Sequence, residues 1–175
     1  MNTPGNTPLC VLAIDPASRG CGFAVVEGRF QLIDWGRKAT KDNKNTRYIR
    51  LVCDLIELYK PDVLVVEDCR AKGARRCRRV QLLIRALLEL AKRRGIQCYR
   101  CPRLAVIKVF SQAGARTKHQ IAAAIATMFP ELAPQLPPVR KPWMNENYRM
   151  SIFDAVAFAL TFFHIQDKSR NSAEQ

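Results

Sequence analysis

One stretch near the N-terminus constrains the fold more than any other: an apolar run that ends on a carboxylate and is followed closely by a second apolar run. The apolar residues 11–14 lead directly to Asp15. Pro16 and Gly20 then favour a tight reversal before residues 20–27. A continuous apolar run of this length is typical of a central strand buried on both faces. Burial of a lone carboxylate is costly or forces its protonation, so Asp15 needs a partner or a function.

Two further acids are carried by apolar elements. Glu67 follows the run 63–66, and Asp154 interrupts the helical apolar run 152–160. Taken singly, Asp15 is explained as a turn residue, Glu67 as a surface charge at a strand end and Asp154 as the polar face of a helix. Taken together, three such acids predict a site for Mg²⁺ or Mn²⁺, because these cations prefer oxygen ligands.

The order of elements predicts an α/β fold with a mixed five-stranded sheet and helices on both faces. Periodicity and turn residues predict strands at 9–15, 20–27, 30–36, 63–67 and 96–101. Helices are predicted at 45–59, 80–94, 102–110, 117–129 and 149–163, with a proline-rich loop at 130–142. We expect one domain over residues 9–165, with disordered tails at 1–8 and 166–175.

Positive charge dominates the chain and is concentrated in two segments. Lys and Arg number 29 against 15 for Asp and Glu, a net charge of +14 that favours polyanionic partners. The first segment, 70–79, holds six bases and no acid: Arg70, Lys72, Arg75, Arg76, Arg78 and Arg79. The second is a loop with Arg140, Lys141 and Trp143, whose ring either stacks on an unpaired base or anchors the loop internally.

The cysteines favour a reducing compartment. The chain has seven, but no signal peptide and no apolar run long enough to span a bilayer are visible, so we expect reduced thiols, an intracellular location and no membrane partner. Cys98 and Cys101 have the spacing of half a zinc site, but no second pair accompanies them, which favours ordinary buried thiols.

Several motifs together resemble one family. Residues 14–23 resemble the first motif of RuvC-type Holliday junction resolvases, members of the RNase H-like superfamily, and 65–67 resemble their second acidic strand. Residues 99–108 resemble the "P-x-x-V-K" helix start, 117–121 a basic segment close to the active site, and 153–160 the last acidic motif. The motifs occur in the family order between about residues 9 and 164.

The resemblance implies roles for particular residues. Asp15, Glu67 and Asp154 would bind two Mg²⁺ or Mn²⁺ ions. Lys118 would contact the scissile phosphate or assist the water; the alternative is that it is an ordinary lysine in the first turn of a helix, without a role in the reaction. The family usually places an Asp or His three residues before the last acid, where this chain has Ser151. Either a water on Ser151 fills that position, or another acid such as Glu146 or Asp68 reaches it.

The resemblance implies a crossover junction endodeoxyribonuclease that acts in recombination and repair as a homodimer on four-way DNA. The apolar stripe of residues 80–90, with Leu82, Leu83, Leu87 and Leu90, is a candidate for an isologous dimer interface. Two alternatives stay open. One is an RNase H-like nuclease acting on RNA or RNA–DNA hybrids, and the other is an inactive junction-binding protein, which Ser151 suggests.

Overall fold

The computed structural model describes residues 8–17, 20–39, 42 and 44–173, which form one five-stranded sheet flanked by helices. The strands are β1 (Cys10–Ala17), β2 (Gly20–Glu27), β3 (Gln31–Lys38), β4 (Val63–Glu67) and β5 (Gln97–Cys101). The helices are α1 (Asn45–Tyr59), α2 (Arg78–Arg93), α3 (Arg103–Ser111), α4 (Lys118–Met128) and α5 (Met150–Ala173), with a 3₁₀ helix at Pro130–Gln135.

The sheet is mixed, as the sequence predicts. Its strand order is β3-β2-β1-β4-β5, with β1–β2 and β2–β3 antiparallel and β1–β4 and β4–β5 parallel. β1 and β4 occupy central positions, which explains why both read as unbroken apolar runs. Ile14 lies opposite Val66 in the parallel pair, so the residues that follow them, Asp15 and Glu67, emerge at the same edge of the sheet.

Two apolar layers cover the two faces of the sheet. Leu12, Ile14 and Leu64 pack with α1 and α2 on one face. Their neighbours Val11, Ala13 and Val65 pack with α3, α4 and α5 on the other. This alternation follows from the two-residue side-chain period of a strand, and it confirms the prediction of helices on both faces.

Several details correct the sequence interpretation. Pro16 and Gly20, expected to form a tight reversal, instead lie within β1 and β2 and pair with Cys21 and Ala17. Residues 18 and 19, between the two strands, lie outside the described part of the chain. The parallel pairing of β1 with β4 ends at Ile14, so Pro16 lies beyond the part of β1 that is paired on both sides, where a missing N–H is tolerated. The segment expected to be a loop at 130–142 contains the 3₁₀ helix, in which Pro130 starts the turn.

The C-terminal helix is longer than predicted. It continues to Ala173, so residues 166–173 are helical where a disordered tail is expected, while residues 1–7 of the other expected tail lie outside the described ranges. Extension of an existing helix avoids the cost of nucleation. Asp167, which forms an ion pair with Arg29 at 3.5 Å, adds a tertiary contact.

The prediction that the apolar stripe on α2 forms a dimer interface is wrong in part. Leu83 and Leu87 are fully buried against the sheet and are unavailable to a second copy, whereas Leu82 remains 47% exposed. A stripe at helical spacing identifies the face that is buried, and the sheet of the same chain covers it here. Among the described residues, no helix combines the length and apolarity needed to cross a membrane.

Candidate active site

Two of the predicted site acids lie side by side at one edge of the sheet. Asp15 stands near the end of β1 and Glu67 is the last residue of β4, and the parallel register brings them together although they are far apart in sequence. Both are almost completely buried, with exposed fractions of 2% and 6%. The surface-charge interpretation of Glu67 and the turn interpretation of Asp15 are therefore wrong.

The third acid is brought to the same edge by a close helix-to-strand contact. Gly22, opposite Asp15 on β2, lies under the start of α5, and a Cβ on it would stand 2.1 Å from the carbonyl oxygen of Ser151. Only glycine permits this approach. Asp154, one turn into α5, is 6% exposed and lies close enough to Asp15 for its charge to affect the pKa of that acid.

Arg76 is the principal counter-ion of the strand acids. Its Nη2 donates to Asp15 Oδ1 at 2.6 Å, and its Nε donates to Glu67 Oε2 in a short bond. Burial alone would lower the pKa of Arg76, but the two carboxylates raise it. One guanidinium therefore bridges both acids.

Asp154 is held by two other cations. Arg103, the first residue of α3, donates to its Oδ1 at 2.7 Å, and Lys118, the first residue of α4, donates to its Oδ2 at 2.9 Å. Lys118 also donates to Glu146. Thr117 and Gln120 form a capping box that fixes the start of α4.

Burial makes the charges of this site costly. Burial raises the pKa of Asp15 to about 7, opposed by Arg76 and reinforced by the carboxylates of Asp154 and Glu67. Within the described ranges, no three His, Cys, Asp or Glu side chains are arranged as a ready metal site. The donor chemistry nevertheless fits Mg²⁺ or Mn²⁺: three buried carboxylates require positive charge, and three protein cations supply it in this arrangement.

Ser151 contributes no carboxylate to the site, and its hydroxyl hydrogen is engaged within the chain. Its hydroxyl donates to the carbonyl oxygen of Tyr148 at 2.9 Å, and the side chain is buried. Of the two acids named above as replacements, Asp68 accepts a hydrogen bond from the backbone N–H of Arg70 at 3.0 Å. Glu146 lines the same cavity as Asp15 and Ser151, so it is the better placed of the two.

This cavity connects the acids to the basic segments. It encloses about 910 Å³, and Arg75 and Arg76 lie on its wall together with the loop residues 145–148. Four of the six bases in 70–79 are exposed: Arg70, Lys72, Arg75 and Arg78. Arg79 is engaged internally, because it donates to the Ala17 carbonyl at 3.0 Å and to Asn45 at 3.2 Å.

The second basic segment presents its aromatic ring to solvent. Trp143 is 78% exposed, so the internal-anchor interpretation is wrong. The Lys141 ammonium lies 5.4 Å from the centre of its ring. Arg140 is exposed beside them. The sequence interpretation overlooked Arg103, although it follows Pro102 within one of the quoted motifs, and it assigned Arg76 only to DNA.

All seven cysteines are free thiols, and in the part of the chain that the structure describes no group of three metal-ligating side chains includes Cys98 or Cys101. Cys98 is exposed and Cys101 is buried, as expected for residues three apart on a strand. Burial raises the pKa of Cys101 to about 12, so its thiol stays protonated at neutral pH. The prediction of a buried thiol is therefore confirmed for Cys101 and wrong for Cys98.

Comparison with solved structures identifies the architecture. The Thermus thermophilus RuvC structure superposes with a TM-score of 0.65 and 21% identity, covering 91% of this chain and 97% of that one. The T. thermophilus RuvC in complex with a Holliday junction substrate gives a TM-score of 0.66 at 20% identity, with 91% and 96% coverage. The chain has the fold of the RuvC-type resolvases.

A third solved structure has the same fold, and one curated sequence matches part of this chain. The yeast mitochondrial Holliday junction resolvase gives a TM-score of 0.62 at 15% identity, covering 97% of this chain and 83% of that one. The crossover junction endodeoxyribonuclease RuvC of Caldicellulosiruptor saccharolyticus is 36% identical over 67 residues, 33% of this chain. That match spans 40% of the length of the curated relative. No family model matches the chain.

Proposed function

We propose that this chain is a metal-dependent endonuclease that hydrolyses phosphodiester bonds in four-way DNA junctions. The observation that carries the proposal is the convergence of three buried carboxylates, Asp15, Glu67 and Asp154, at one sheet edge of a RuvC-type fold. Relatives of that fold are described as crossover junction endodeoxyribonucleases or as bound to a Holliday junction.

The proposed mechanism assigns a task to each side chain. Asp15, Glu67 and Asp154 would hold Mg²⁺ or Mn²⁺, with Glu146 in the position that Ser151 leaves without an acid. The chemistry that two divalent ions held by these acids would supply is activation of the attacking water and stabilisation of the leaving oxygen. The Lys118 ammonium donates to Asp154 Oδ2 at 2.9 Å. This contact supports a role for Lys118 in binding a phosphate at the same edge.

The basic segments would position the DNA around this edge. Exposed Arg70, Lys72, Arg75 and Arg78 provide phosphate contacts, and Arg140, Lys141 and Trp143 provide charge and a stacking surface. We propose that the enzyme acts as a homodimer, because two opposed strands of a junction require two sites. A DNA substrate and unpaired cysteines also support an intracellular location.

Cleavage of labelled substrates tests the proposal. We expect cutting of a synthetic four-way junction in Mg²⁺ or Mn²⁺, none in chelator, and weak or no cutting of a linear duplex or an RNA–DNA hybrid. Asp15→Asn, Glu67→Gln and Asp154→Asn should each abolish cutting but retain junction binding. Glu131→Gln, which removes an exposed acid of the 3₁₀ helix, is the control.

One observation favours a second candidate, an inactive junction-binding protein. Position 151 is a serine and provides no carboxylate for a second metal, and its hydroxyl donates to the Tyr148 carbonyl oxygen. Tight junction binding without cutting at any metal concentration would establish this candidate. Preferential cutting of the RNA–DNA hybrid would instead indicate the hybrid nuclease.

A further inference from the structure

Arg76 stands where a divalent cation would have to bind. Its guanidinium bridges Asp15 and Glu67, the two acids of neighbouring strands, and its side chain is 20% exposed. A metal ion that bound Asp15 Oδ1 or Glu67 Oε2 would compete with Arg76 for that oxygen atom. The positive charge of the guanidinium would also repel a divalent cation bound to either carboxylate.

The segment that carries Arg76 allows its side chain to leave. Arg76 precedes α2, in an irregular stretch after the turns at 69–73, so its departure breaks no helix or sheet hydrogen bond. The side chain of Gln81 donates to the Arg76 carbonyl oxygen at 2.7 Å and keeps the backbone in place. Arg76 also lines the cavity beside exposed Arg75, on the surface where DNA phosphates are expected.

We propose that Arg76 is a displaceable counter-ion that couples metal binding to DNA binding. Without metal it neutralises Asp15 and Glu67. When a divalent ion takes these carboxylates, the guanidinium turns to a DNA phosphate, which it can bind through two N–H groups. Each ligand then favours the other, because both favour the state in which Arg76 has left the acids. This inference rests on the proposed function, since it assumes that metal and DNA meet at this site.

Manganese binding without DNA provides the first test. Free Mn²⁺ is measured by electron paramagnetic resonance during titration of the wild-type chain and of Arg76→Gln. We expect Arg76→Gln to bind Mn²⁺ at least about tenfold more tightly, within the usual range of coupling between sites. Arg75→Gln is the matched control, because it removes the same charge from the same cavity wall and should change Mn²⁺ affinity far less. Equal affinities of Arg76→Gln and Arg75→Gln would overturn the proposal.

Duplex binding provides the second test. The affinity for an uncut linear duplex is measured by fluorescence anisotropy with and without Mn²⁺. Metal should strengthen duplex binding by the wild type and by Arg75→Gln, but not by Arg76→Gln. An increase that survives in Arg76→Gln would refute the coupling. Arg76→Lys keeps the charge but cannot bridge both acids as a fork, so it should bind Mn²⁺ with intermediate affinity even if Arg76→Gln folds poorly.

These results are separable from the test of the nuclease. If the wild type cuts junctions but Arg76→Gln binds Mn²⁺ no more tightly, the counter-ion inference fails and the proposed function stands. If Arg76→Gln shows both expected effects while the wild type cuts no junction, the inference stands and the nuclease proposal fails. If Mn²⁺ binds neither protein, the inference is overturned.

Discussion

Gly22 offers a direct test of how the fold brings the site acids together. A Cβ at this position would lie 2.1 Å from the Ser151 carbonyl oxygen and 2.9 Å from the Ile152 nitrogen. Real Cβ atoms essentially never approach other atoms more closely than 3.0 Å, so Gly22→Ala forces the start of α5 away by roughly 1 Å. The obstacle is helix backbone, which cannot rotate aside as a side chain can.

Two consequences follow for the Gly22→Ala protein. Overpacking of this kind costs about 1–3 kcal/mol, and the free energy of unfolding should fall by that amount. The displacement also moves Asp154 relative to Asp15, and a misplacement of about 1 Å can reduce an enzymatic rate about a hundredfold. Junction affinity should change little, because the exposed arginines of 70–79 do not depend on α5.

Urea unfolding and single-turnover cleavage of a synthetic junction measure the two effects separately. Gly36→Ala is the control, because its Cβ would meet only the edge of the Phe23 ring, at 3.0 Å, and that side chain can adjust. A Gly22→Ala protein that is destabilised but cuts within about threefold of the wild-type rate would refute the reasoning that α5 placement limits the chemistry. Unchanged stability would refute the close contact itself.

Three further predictions concern charge. Ser151→Asp places a carboxylate on the Asp154 face of α5, so we expect a lower Mg²⁺ requirement and equal or faster cutting; a higher half-saturating Mg²⁺ concentration would show that Glu146 already serves the position. Charge reversal of exposed Arg75 and Arg78 should reduce the slope of log affinity against log salt by about 0.9 for each lost phosphate contact, and an unchanged slope would remove the segment from the DNA interface. In the metal-free protein, the pKa of Asp15 is raised from its ordinary value of 3.8 to about 7. Between about pH 4 and pH 7, the folded state therefore keeps the Asp15 proton, whereas the unfolded state has released it. The free energy of unfolding should therefore fall as pH rises through this window, and urea titrations of Asp15→Asn should show a flatter dependence.

The positions of the acids could be predicted because local patterns determine them. Unbroken apolar runs identify β1 and β4 as central strands, and the carboxyl ends of parallel neighbours share one edge, so Asp15 and Glu67 meet as expected. The strand bounds 63–67 and the helix bounds 45–59 are likewise confirmed, because turn residues and a clear apolar stripe mark them.

The partners of the acids could not be predicted, because they depend on tertiary contacts. Six bases share the segment 70–79, and nothing in their order distinguishes Arg76, which binds two acids, from exposed Arg75. The burial of Leu83 and Leu87, which lie on α2, likewise depends on which surface of the chain packs against that helix. The last turns of α5 are polar and exposed, so they have no periodic apolar pattern from which a helix could be predicted.

The three site acids come from the first strand, the fourth strand and the last helix, so the site depends on long-range contacts across the fold. Asp15 and Glu67 leave the ribosome long before Asp154, and until α5 packs over Gly22 the third acid is absent from the sheet edge. Domains generally fold as units as synthesis proceeds, and contacts between residues distant in sequence form late. Hydrolysis by the proposed nuclease therefore has to await the packing of the last helix. A nascent or C-terminally truncated chain that lacks α5 would expose the arginines proposed to bind DNA, but it would lack the third acid proposed for cutting.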